Sequence, residues 1–274
     1  MKTIRKISVA AFVAVVCGLA VACSSDDEEE SGNGAVAGRQ LARIETNTSR
    51  WGTMMTFSYA SDGEITGIHL SEESSYGNYT KSYEEDITYV ISQSVISWTS
   101  RRSDGYRNSY RATIENGRAQ SMTRKNCLFR YDGSNRLVEL ECREWNGVFK
   151  LTWSGGNITR LEQYDNGKLE ARIDYTYSNH QAGMLGYMLY FNPLTENNFL
   201  DTFEEHALFY TDACGQMSKN LPATATFYGR DGKSKGTRTY EYKTNGGRIS
   251  QVVISGNHND SLYDYPVSLK ITWE

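Results

Sequence analysis

The chain has 274 residues, with 24 glycines, only 3 prolines, and 19 tyrosines, 9 phenylalanines and 5 tryptophans. Aromatics fit a pleated, half-buried surface and glycine supplies turns, so this composition leans towards antiparallel β structure. A charged fraction of 23% and a formal net charge of −4 exclude a basic nucleic-acid binder and a highly charged disordered chain.

The first segment, residues 1–22, reads as a targeting signal. Lys2, Arg5 and Lys6 form a positive start, and Ile7 to Ala22 is apolar apart from Ser8. The stretch is short for a spanning helix, which needs roughly 20 apolar residues. Ala20-Val21-Ala22-Cys23, with Leu19 one place early, resembles the lipobox of bacterial lipoproteins. That resemblance implies Cys23 as the lipidated first residue; an ordinary secreted protein with a spare thiol at Cys23 is the alternative. Residues 23–39 form a tether, because the acidic run Asp26 to Glu30 followed by Ser31-Gly32-Asn33-Gly34 cannot pack a core. The run is also similar to the export signal of Bacteroidetes lipoproteins, which implies display on the outer face of the outer membrane; a plain spacer is the other reading. Loss of Lys2, Arg5 and Lys6 takes 29 basic residues to 26 against 33 acidic ones, so the mature chain stands at −7. That balance argues against phosphate backbones or anionic headgroups as partners, leaving the lipid as the membrane attachment.

From residue 40 to 274 one grammar repeats, and we read a single β-rich domain. Apolar or aromatic residues at i and i+2 precede a Gly/Asn/Asp turn and a second β-type run. Phe57-Ser58-Tyr59, Phe129-Arg130-Tyr131, Leu151-Thr152-Trp153 and Tyr240-Glu241-Tyr242 each lead into such a turn, and Tyr164-Asp165-Asn166-Gly167 supplies another. Residues two apart in a strand share a face, and Asn-Gly or Asp-Gly between such runs signals a hairpin. The turn spacing predicts about 14 to 17 strands, an antiparallel meander curled into a barrel-like or open-barrel sheet. Tyr131-Asp132-Gly133-Ser134-Asn135-Arg136-Leu137 and Tyr164-Asp165-Asn166-Gly167-Lys168-Leu169 resemble the tyrosine-aspartate (RHS-type) repeat. Ser218-Lys219-Asn220-Leu221-Pro222 resembles a motif of Bacteroidetes outer-membrane lipoproteins with a porin-like β domain of unknown function. That resemblance spans residues 40 to 274; it implies the barrel-like shape and transfers no catalytic residue.

One region breaks the grammar. Phe199, Leu200, Phe203, His206, Ala207 and Tyr210 follow helical spacing, predicting a short helix near 198–213 that covers one end or face of the sheet or, as the sharper alternative, acts as a ligand lid. Met184 to Phe191 reads as an apolar connector. Of the cysteines left after Cys17 and Cys23, Cys127 and Cys142 flank one hairpin whose four-residue turn is expected to set them diagonally, so buried thiols are favoured over a bridge. Cys214 leaves the count odd.

The chemistry-bearing motifs are sparse. There is no nucleophile elbow, no paired-His zinc motif and no phosphate loop. His69, His180, His206 and His258 are scattered, Glu84-Glu85-Asp86 reads as a solvated acidic loop, and Asn257-His258-Asn259-Asp260 as a turn. No catalytic residue, metal site or cofactor is assigned. Aromatics are the best lead, since Tyr and Trp combine an apolar face with a polar handle. Trp98, Trp145, Trp153, Tyr175, Tyr177, Tyr240 and Tyr242 are the candidate binding residues, against the bland reading that such pairs fill a barrel interior. The function expected is a non-enzymatic outer-membrane lipoprotein, exposed at the cell surface, that binds a glycan or cell-surface polymer. The alternatives are a structural lipoprotein docking on another outer-membrane protein and an unrecognised hydrolase.

Overall fold

In a computed structural model of the chain, residues 40–47, 51–76, 79–123, 126–190, 206–257 and 266–274 are described. The leader, the tether with Cys23, the start of the expected helix and residues 258–260 lie outside them. The strands are β1 (Leu41–Asn47), β2 (Trp51–Tyr59), β3 (Ile65–Tyr76), β4 (Tyr79–Ile91), β5 (Val95–Arg102), β6 (Arg107–Glu115), β7 (Arg118–Met122) and β8 (Cys127–Tyr131). They continue through β9 (Leu137–Cys142), β10 (Gly147–Ser154), β11 (Asn157–Asp165), β12 (Lys168–Gln181), β13 (Asn220–Gly229), β14 (Ser234–Asn245), β15 (Arg248–Gly256) and β16 (Val267–Trp273). Every strand pairs antiparallel with its sequence neighbours, and β16 returns to β1, closing the barrel. The sheet is therefore closed on itself.

The turns follow the sequence grammar. Asn166–Gly167 and Gly246–Gly247 both hold positive φ, the conformation of the two-residue turns that match strand twist. A bulge recurs beside several turns, at Ser58/Tyr59, Arg130/Tyr131, Thr152/Trp153, Gln163/Tyr164 and Lys243/Thr244. It shifts the register by one residue and sharpens the bend there. This corrects the expected cysteine geometry. Tyr131 opposes Leu137, but beyond the bulge Arg130 opposes Glu139, and Cys127 lies directly opposite Cys142 rather than diagonal to it.

The even-numbered strands all run towards the same end, and there the second member of each i, i+2 pair has a specific use. Tyr59 Oη donates to the Leu41 carbonyl at 2.9 Å, Tyr131 Oη to Ala119 at 2.9 Å, and Trp153 Nε1 to Leu137 at 2.8 Å. Tyr242 Oη donates to Pro222 at 2.5 Å and Trp273 Nε1 to Ile249 at 2.7 Å. Each ring thus covers the rim of the interior while its polar handle satisfies a carbonyl at the start of the preceding strand. The aromatic excess is structural at these positions.

The interior is filled. Phe57, Ile68, Ile87, Trp98, Tyr110, Phe149, Phe227, Val252 and Leu269 point inward and are buried. Between β12 and β13 the chain turns into the barrel as a plug made of helix α1 (Gly183–Tyr190) and two 3-10 turns, Ala207–Tyr210 and Asp212–Cys214. The stretch expected as an apolar connector is thus a helix. It carries no charged residue, and its Leu185, Leu189 and Tyr190 are buried in the interior. Conversely, the described part of the expected 198–213 helix is broken: Thr211 is extended, with φ −98° and ψ 163°, and its hydroxyl donates to the Leu208 carbonyl at 2.7 Å. Leu208, Phe209 and Tyr210 are buried in succession, which an enclosed segment permits and an amphipathic helix would not. Tyr89 Oη donates to the Ala207 carbonyl at 2.7 Å and Tyr175 Oη to Tyr190 at 2.9 Å, tying the plug to the wall.

The outer face of the wall is polar. Arg43 and Glu45 (2.7 Å), His69 and Asp86 (2.8 Å), Arg130 and Glu141 (3.2 Å), and Arg160 and Asp174 (2.7 Å) pair along or across strands there. Among the described residues the exposed large apolar side chains are Val90, Tyr106 and Tyr177. A lipid-spanning barrel alternates the other way, with an apolar band outward and polar residues inward. No helix among the described residues is long and apolar enough to cross a membrane.

Candidate functional site

The plug closes the barrel end at which the described chain begins and ends; the Glu274 amide donates to the Gln40 carbonyl at 2.9 Å. The Gln216 amide donates to Asn135 and the Lys219 amide to Gly156, stitching the plug to two hairpin tips. On the other side the seal is incomplete. Three tips, around Gly63, Gln93 and Gly117, stand away from the second half of the plug and leave a cleft of about 240 Å³.

Its floor and rim differ chemically. Ile65, Ile96, Ile114, Tyr210 and Ala213 are buried apolar or aromatic residues that form the floor, with Tyr59 and Met184 beside them. Glu64, Ser92, Gln93 and Asp212 are exposed at the rim. The Tyr59 hydroxyl is held between the Leu41 carbonyl and Met184 Sδ, 3.6 Å away. Burial pushes the Tyr59 and Tyr210 hydroxyls well above their ordinary pKa, so both stay neutral at physiological pH. The cleft therefore offers an apolar floor and two carboxylates at the rim. Its volume is below the roughly 300–1,000 Å³ of a drug-sized ligand site, which suits one ring or a chain end.

The sequence-derived aromatics do not assemble into one ladder. Trp98 stacks on Tyr110 at 5.3 Å in the interior, and Tyr175 and Tyr240 are also buried. Trp145 packs edge-on to Phe149 at the opposite end, and Trp153 and Tyr242 are half-buried with their handles on backbone carbonyls. Tyr177 is 44% exposed and is the one of the seven open to solvent. The His180 ring lies 5.1 Å from that of Tyr242.

The acidic run read as a loop lies inside β4. Strand alternation separates its carboxylates: Glu84 and Asp86 face solvent, while Glu85 is buried and accepts from Ser100 Oγ and Tyr83 Oη. His206 is buried beside the plug, and no group of three or more His, Cys, Asp or Glu able to hold a metal occurs among the described residues. The cleft residues Glu64, Met184 and Asp212 escaped sequence reasoning, since they come from separate tips and the plug. The only local signal was the Asp62-Gly63-Glu64 turn.

No protein-family profile matches the chain, and no curated protein matches it in sequence. Its fold is similar to that of a porin-like protein from Bacteroides uniformis, known from a crystal structure, with a TM-score of 0.59 and 16% identity over 85% of this chain and 96% of that one. A second porin-like protein, from Bacteroides vulgatus, aligns at a TM-score of 0.37 and 10% identity over 85% of this chain and 98% of that one. At such identity the first likeness is one of fold: an all-β closed barrel.

Proposed function

We propose that this protein is a non-enzymatic outer-membrane lipoprotein, anchored through Cys23 and exposed at the cell surface. Its water-facing barrel binds a glycan or cell-surface polymer in the cleft at the plugged end. The observation that carries the binding reading is the pairing of an apolar, aromatic-edged floor with the rim carboxylates of Glu64 and Asp212. A sugar ring has the matching faces: C–H groups to lay on Tyr59, Ile65 and Tyr210, and hydroxyls to donate to carboxylates. The charged outer wall supports a barrel held beside the membrane by its lipid rather than one built into it.

The test is a glycan array with the full chain, followed by titration of the best ligand against Glu64→Ala and Asp212→Ala. Loss of one charge-assisted hydrogen bond is expected to weaken binding roughly 10- to 100-fold, with thermal stability nearly unchanged because both side chains are at the surface. Absence of glycan retention, together with recovery of one stoichiometric outer-membrane partner, would replace this reading with the docking one. That second reading rests on Val90, 70% exposed on the outer face next to the cleft residue Ile91.

A further inference from the structure

Cys127 opens β8 and Cys142 closes β9. The bulge at Arg130/Tyr131 sets them directly opposite each other, both inward-facing with no exposed surface. Just beyond them the Arg143 amide donates to the Asn126 carbonyl at 3.3 Å. That makes Asn126 and Arg143 the hydrogen-bonded pair of the ladder, so Cys127 and Cys142 occupy the alternate, non-hydrogen-bonded position. Side chains lean closest there and Cα atoms stand about 4.5 Å apart, inside the roughly 4.4–6.8 Å that a disulfide tolerates. Their Sγ atoms lie 2.7 Å apart as thiols. The third thiol, Cys214, lies in the plug, 3.7 Å from the Leu208 carbonyl.

We propose that Cys127 and Cys142 form a disulfide across the β8–β9 hairpin in the exported protein. The inference rests on export of the chain through residues 1–22 into an oxidising compartment, where disulfides persist. Closure removes one hydrogen from each thiol and forms the Sγ–Sγ bond. The two electrons pass by thiol–disulfide exchange to a disulfide-carrying oxidoreductase of the envelope, which leaves as its dithiol. The hairpin is local in sequence, so the bridge forms before barrel closure buries both sulfurs. Cys214 stays a thiol, and burial pushes its pKa up, which keeps it unreactive.

The full-length protein, taken from the envelope with free thiols blocked at lysis, is denatured, alkylated with a second label, digested and read by mass spectrometry. The expected result is one peptide pair joined through Cys127 and Cys142, with Cys214 carrying only the second label. Alkylation of both Cys127 and Cys142, or a bridge from either to Cys214, overturns the proposal. A parallel arm separates pairing from export: purified full chain is reduced in mild denaturant, then refolded with oxidised glutathione. The same pair closes there wherever the cell puts the protein, and failure to close overturns the geometry itself. Reduction of the bridged protein should lower Tm by about 5–10 °C, as expected for opening a short closed loop in a domain of this size.

Discussion

Tyr131→Phe isolates the device that repeats along the plugged rim. The Tyr131 hydroxyl donates to the Ala119 carbonyl at 2.9 Å and lies 3.3 Å from the Ala213 carbonyl, so one proton joins β7, β8 and the plug. Ala119 has no exposed surface, and water cannot easily replace the lost donor. Phenylalanine keeps the ring packing, including the Arg118 guanidinium 5.4 Å from its centroid, and deletes only the handle. A net hydrogen bond contributes about 0.5–1.5 kcal/mol, and an orphaned buried acceptor costs about 1–3 kcal/mol, so the loss expected is about 1–3 kcal/mol. In a domain of this size that is a fall of about 3–10 °C in Tm. Calorimetry, with chemical denaturation as a second probe, would measure it against Tyr164→Phe, whose ring lies on the outer wall over Lys150. A Tyr131→Phe chain no less stable than the Tyr164→Phe control would refute the idea that the polar handles hold the rim.

Three further outcomes follow from the same geometry. Burial raises the Tyr190 hydroxyl to about 12 and pushes Tyr89 and Tyr175 up as well. The neutral form is thus favoured in the fold: the contribution is intact below the unfolded value near 10 and is lost as pH rises through about 12, which a Tm series across alkaline pH would show as a progressive fall. Gly215 holds φ +81°, and a Cβ there would lie 2.6 Å from the Asn135 carbonyl oxygen and 2.9 Å from the Tyr131 ring; Gly215→Ala should cost about 2–4 kcal/mol by denaturant unfolding, and a neutral result would mean the plug is looser than its contacts imply. Cys23→Ser should move the protein from the detergent phase to the aqueous phase on partitioning while leaving it folded and monodisperse, because the outer wall carries paired charges; aggregation without detergent would point to a lipid-facing wall.

Hairpins were legible because their determinants are local. Phe129-Arg130-Tyr131 and the Asp132 turn act through period-2 alternation and through the Asp132 carboxylate, which accepts from the Ser134 and Arg136 amides at 2.9 and 3.0 Å. The Arg136 guanidinium beside Asp132 holds that carboxyl below its usual pKa. Register was less legible. A single bulged residue decides whether Cys127 meets Glu141 or Cys142, and nothing in the turn composition announces it. The cleft was not legible at all, because Glu64 and Asp212 are far apart in sequence and meet only when the barrel closes around the plug.

The sequence by itself determined the β grammar and the hairpin positions, since each depends on residues within a turn of one another. Tertiary structure decided the rest: that the sheet closes with β16 on β1, that an apolar segment becomes a plug, and which aromatics are interior. Closure also decided sidedness, turning the apolar faces of the strands towards one enclosed volume and the charged faces outward. Alternation records only that a strand has two faces; which face is the inside is settled when the last strand meets the first.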